Sequence, residues 1–95
     1  MARHLGYDPK DPDDIDDFTV NWSKVLAAGE TISTATATHI AGNVSVQGSV
    51  VIDGTHTTAR LTGGDVNTTA EVRFRITTSA GRQLDQTIWF KIEPR

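Results

Sequence analysis

Residues 70–77 read AEVRFRIT and residues 87–93 read TIWFKIE. In the first stretch Val72, Phe74 and Ile76 fall on one face of an extended chain, with Arg73 and Arg75 on the other. In the second, Ile88, Phe90 and Ile92 share a face, and Trp89 and Lys91 project the opposite way. Period-two alternation of this kind marks strands with one buried face and one wet face. TSAGR, residues 78–82, lies between them and supplies Gly81 for a tight connection. The two stretches predict an antiparallel hairpin.

The same period recurs upstream. FTVNW places Phe18, Val20 and Trp22 on one face, so all three are expected in the core. ETISTATATHI alternates weakly between apolar ends at Ile32 and Ile40. NVSVQGSVVID reads as two short strands broken at Gly48, and TARLT follows a turn at Asp53–Gly54. SKVLAAGE is the one helix-like piece, a turn or two with Ser23 as cap, Val25 and Leu26 towards the core and Gly29 as terminator. No strand is followed by a helix long enough for a parallel crossover. About seven strands at this spacing predict an all-β fold, a single immunoglobulin-like antiparallel β-sandwich.

Composition agrees. Thr (14), Val (8) and Ile (7) are β-branched residues that suit a pleated surface and lose side-chain freedom in helices. Ninety-five residues suffice for one domain with its own core. With no cysteine there is no disulfide, thiol chemistry or thiolate-bound zinc. No apolar run approaches the roughly 20 residues of a membrane helix. MARHLGYDPK lacks the apolar core of a signal peptide, so a chain made in a cytoplasm and not bound to membrane is expected.

The net charge of −3 is unevenly spread. Six aspartates precede Phe18 against Arg3 and Lys10, whereas the remainder is nearly neutral. A body without a basic stripe lacks the electrostatic footprint of a nucleic-acid binder. The acidic stretch DPKDPDDIDD, residues 8–17, fails as a calcium loop: from Asp11, Asp13 fits the third position, but Ile15 and Asp16 occupy the fifth and sixth. His4, His39 and His56 have no metal-ligand spacing. No serine sits in a nucleophile elbow, and no glycine-rich loop opens a helix. The sequence predicts no enzyme, no cofactor and no metal site.

The order DP·D··D, DFTVNWSKVLAAGETI, a β-rich middle, LTGG and RITTSAGRQLDQTIWFKI resembles a family of short bacteriophage virion proteins with immunoglobulin-like folds, the fibre–tail adaptors. Asp8, Pro9, Asp17, Trp22, Leu26, Glu30, Thr31 and Ile32 carry the first half of the resemblance. Gly63, Gly64, Ile76, Thr77, Thr78, Gly81, Arg82 and Asp85 carry the second. Family members have a further glycine and an aromatic after the glycine pair, where Asn67 and Ala70 stand here. The resemblance implies a structural protein of a virion, assembled in the bacterial cytoplasm, with tail, fibre or capsid subunits as partners. A tail or fibre adaptor comes first, then a capsid decoration protein, then a host-surface or carbohydrate-binding module. Six aromatics, four of them core-facing, make too small a platform for the last.

Residues 1–16 are read as an arm and 17–95 as the sandwich. Pro9 and Pro12 remove donors and hold the arm extended. Leu5, Tyr7, Asp8, Pro9, Asp11, Asp13 and Asp14 are its candidate contacts with another subunit. Arg73, Arg75 and Arg82 on the last hairpin are candidate receivers of a neighbour's arm, which would make the assembly a homo-oligomer. Trp89, outward on the last strand, is the candidate interface anchor.

Overall fold

A computed structural model describes residues 13–93, Lys10 and the backbone of residues 4–6. Seven strands run in the order β1 (His4–Gly6), β2 (Asp16–Asn21), β3 (Ile32–Ala41), β4 (Val44–Asp53), β5 (His56–Gly63), β6 (Thr69–Thr78) and β7 (Gln83–Lys91). One sheet has the order β1-β7-β6-β3 and the other β2-β5-β4, so the chain changes sheet between β1 and β2, β2 and β3, β3 and β4, and β5 and β6. The β6–β7 hairpin pairs as its alternation predicts, from Thr69 opposite Lys91 to Thr77 opposite Gln83.

The inward faces meet between the sheets. Val72, Phe74, Ile76, Ile88, Phe90 and Ile92 are all 0% exposed, and Phe18, Val20, Trp22 and Leu61 pack against them. The rings of Phe18 on β2 and Phe90 on β7 stack across the layers with centroids 4.5 Å apart. Trp22 Nε1 donates to Thr57 Oγ1 at 2.9 Å, which satisfies the one polar atom of the indole in a dry place.

Four expectations are corrected. SKVLAAGE forms no helix: Val25 N and Leu26 N both donate to Trp22 O, at 3.0 and 3.2 Å, and the chain then turns away. A single turn cannot offset the cost of helix nucleation. Nor does Gly48 break its strand. It lies in β4 at φ +75°, where Gly48–Val50 bulge opposite Ala59, between the pairs Gln47–Arg60 and Val51–Thr58. Adding two residues instead of one leaves Val46 and Val50 on the same face. The sheets are also not wholly antiparallel, because β1 runs parallel to β7, with Leu5 opposite Ile88. Consequently part of the expected arm lies on the chain's own sheet.

A second point holds that segment. Lys10 N donates to Lys91 O and Glu93 N to Lys10 O, both at 2.9 Å, and Lys10 Nζ reaches Gly63 O at 2.7 Å. Gly63 and Gly64 have φ of +80° and +116°, and a Cβ on Gly64 would stand 2.7 Å from Ile92. The glycine pair therefore serves close packing as well as the turn. Asn67, at φ +67°, takes the left-handed conformation that asparagine tolerates.

Two glycines separate conformational cost from crowding. At Gly48 a Cβ meets nothing, whereas at Gly42 (φ +81°) it meets Ala70 Cα and Cβ at 2.9 Å. Gly48→Ala is expected to cost about 1–2 kcal/mol from the backbone alone. Gly42→Ala should cost about 1–3 kcal/mol more through overpacking. Urea midpoints of the two variants measure the difference.

Candidate docking surface

The β-hairpin registers place the loops at two ends of the sandwich. At the upper end the β2–β3 loop, residues 22–31, lies against the β6–β7 turn. Glu30 is the peg between them. Its carboxylate, only 3% exposed, accepts from Arg82 Nη2 at 2.5 Å, Arg82 Nε at 2.9 Å, Thr78 Oγ1 at 2.5 Å and Ala27 N at 2.8 Å. Arg82 also donates to Val25 O at 2.8 Å. These hydrogen bonds, those of Arg82 first and then of Thr78 and the Ala27 amide, pull the Glu30 pKa down to about 2 from 4.5.

Two of the three arginines expected to receive a neighbour's arm are therefore engaged within the chain. Arg82 holds Glu30, and Arg75 grips Asp85 on the adjacent strand through Nε at 2.7 Å and Nη2 at 3.0 Å. The Arg75 bonds hold the Asp85 carboxyl below its usual range. On β2, Asp17 is likewise lowered by its bonds to Arg60. Arg73, between Thr87 and Thr38 on the outer face, has a buried Nε without a hydrogen-bond partner.

Among the described residues six large apolar side chains are exposed; Val51 (61%) and Ile52 (39%) lie near the β4–β5 turn, and the other four lie towards the lower end. Trp89 is 39% exposed, opposite Glu71 on β6 and Gly6 on β1. With no side chain at Gly6, that flank of the indole is bare of its own neighbour strand. Ile40, 46% exposed, lies in the irregular step of β3 between His39 and Ala41, and Ala41 also faces Glu71. Val66 (44%) projects from the β5–β6 loop, and Ile15 (61%) precedes β2. All four belong to elements that meet at this end, around the Gly63–Lys10–Ile92 crossing.

Of the arm residues, Asp13 is exposed and Asp14 half-buried, and Leu5 stands at a β1 register position. Tyr7, Asp8, Pro9 and Asp11 lie outside the described residues. Among the described residues no group of three His, Cys, Asp or Glu is placed to hold a metal ion. No helix is long and apolar enough to cross a membrane. Sequence reading missed Ile15, Val66 and the exposure of Ile40. An apolar residue inside an acidic or glycine-rich run (DDIDD, GGDVN) was the available sign for the first two.

A family model for the podophage GP4 fibre–tail adaptor protein gp77 matches residues 10–91. The chain belongs to this family. The match begins and ends on two residues that hydrogen-bond each other, Lys10 and Lys91, and so spans the closed body of the fold. No curated protein matches the chain. As a fibre–tail adaptor the chain is a structural component of a phage virion, where it works with tail and fibre proteins.

Acid tests the upper clamp. Because the folded pKa of Glu30 lies below its unfolded value, its contribution is complete above about pH 4.5 and is lost as pH falls towards about 2. Glu30→Gln should lower the urea midpoint at pH 6 and flatten its fall between pH 4.5 and 2. Asp17 and Asp85 leave a residual slope.

Proposed function

We propose that this adaptor is a non-enzymatic, immunoglobulin-like joint that docks through its lower end and through the segment 1–16 onto tail and fibre subunits. The family match carries the reading. The strand order supports the immunoglobulin-like description: β2, β5 and β4 correspond to strands B, E and D, and β3, β6 and β7 to C, F and G. A first strand that runs parallel to the last fits the same scheme.

Docking follows from what the surface leaves uncovered. An exposed indole between Gly6 and Glu71, with isoleucine and valine on adjoining elements, is the composition of an interface centre. Asp13, Asp14 and Asp16 flank Ile15 in the chain and make that part of the end acidic, which suits a partner whose rim is basic. Segment 1–16, tied down at β1 and Lys10, delivers those carboxylates at the end of the sandwich and not at the tip of a free tether. Several copies in the virion, with no nucleic acid or membrane among their direct partners, complete the proposal.

Particles assembled without this chain should keep their tails and lack fibres. Trp89→Ala should cut its incorporation at least about tenfold, the loss of a buried anchor worth about 2 kcal/mol, while far-UV circular dichroism stays unchanged. Quantitative mass spectrometry of purified particles, scaled to the major capsid protein, reads both results. Fibres on particles that lack the chain would overturn the joint. Hundreds of copies per particle would reassign the chain to the capsid surface.

A further inference from the structure

We infer that the free edge of β3 pairs with the same edge of a second copy of this chain, antiparallel, about a two-fold axis at Thr36. β3 and β4 are the outer strands of their two sheets and lie on the same side of the sandwich, joined by the turn at Gly42–Asn43. Among the described residues only β6 pairs with β3, so its edge is open, and it is regular from Thr34 to His39 between two irregular steps. Natural edges are shielded by charge, proline or shortness. The opposite side has such shields: a three-residue β1, and two aspartates opening β2. β3 reads ISTATATHIA, with no Lys, Arg, Asp, Glu or Pro.

The core also opens on this side. Ala35, Ala37, Val46 and Val50 are only partly buried and Ile52 is 39% exposed, whereas Val20, Ile88 and Phe90, towards the other side, are wholly covered. An apolar seam thus lies between two unpaired backbones.

The sequence of the edge selects its occupant. Residues 33–39, STATATH, are nearly palindromic about Thr36. In an antiparallel pair centred there, Thr34 of one copy faces Thr38 of the other, Thr36 faces Thr36, and Ala35 faces Ala37. Threonine meets threonine on the outer face, a favourable cross-strand pair, and alanine meets alanine over the seam without a clash. Val46, Val50 and Ile52 of the two copies then close towards each other beneath the joined edges. The nearest cation on the outer face, Arg75 opposite Thr36, is already neutralised by Asp85. A strand of unrelated sequence would satisfy the backbone only; a second copy also matches the side chains.

Sedimentation of the full chain from about 10 μM to about 1 mM tests this pairing. A concentration-dependent dimer is expected. Thr36→Glu sets two carboxylates together across the axis but lies beside Arg75 within its own chain. It should raise the dissociation constant about tenfold or more with circular dichroism unchanged. The chain has no cysteine of its own. Thr36→Cys should therefore oxidise to a covalent dimer much faster than the control Thr19→Cys on β2. A chain monomeric throughout, a dimer indifferent to Thr36→Glu, or equal oxidation of the two cysteine variants would each overturn the inference. Normal fibre attachment by such a chain would leave the adaptor role standing. Fibre loss in Thr36→Glu particles, with a monomeric parent chain, would assign the edge to a strand of another virion protein.

Discussion

Two thin sheets stay together only if each hides its apolar face on the other, and β6 is where that constraint is tightest. Paired on both sides, it sends Val72, Phe74 and Ile76 into a space already filled by Leu61, Val20 and the stacked rings of Phe18 and Phe90. Complete burial of one such side chain contributes about 1.5–3 kcal/mol, so truncation of Phe74 alone would remove about 3–5 kcal/mol. Ordinary domains have total stabilities of about 5–15 kcal/mol. The exposed ion pair of Arg60 with Asp17 is secondary to this packing.

Once the core fixes the sheets, the connections decide which surface is left for partners. At the upper end Glu30 gathers Arg82, Thr78 and the Ala27 amide, and so ties the β2–β3 loop to the β6–β7 turn. The lower end is closed by backbone hydrogen bonds and by the packing of Ile92 on Gly64, while Trp89, Ile40, Val66 and Ile15 stay exposed towards it.

The lateral edges repeat the contrast. Where β1 and β2 border the sandwich, short length and aspartate oppose strand addition. Where β3 and β4 border it, both strands are ten residues long, β3 carries no charge, and the core is thinly covered. A protein that works in an assembly can keep such an edge because neighbours occupy it, and an uncharged threonine–alanine ladder resists registers that would put alanine outside.

The sequence by itself determined the fold class and most of the core. Alternation at Phe18–Trp22, Val72–Ile76 and Ile88–Ile92 is local information, and every apolar residue it placed inward is buried. The outward direction of Trp89 was legible for the same reason, and so was the family, since the residues matched run through the sheets themselves. The partners of the charged residues were not legible. Arg75 meets Asp85 and Arg82 meets Glu30 only after hairpin register and loop path are set, and Glu30 and Arg82 are 52 residues apart. The parallel strand β1 was hidden as well, because three residues carry no readable period and their pairing depends on β7 having a free edge. Which apolar residues stay exposed, and which edge is open, are properties of how elements meet. Those only the tertiary structure decided, through the layering that brought distant turns to the same end.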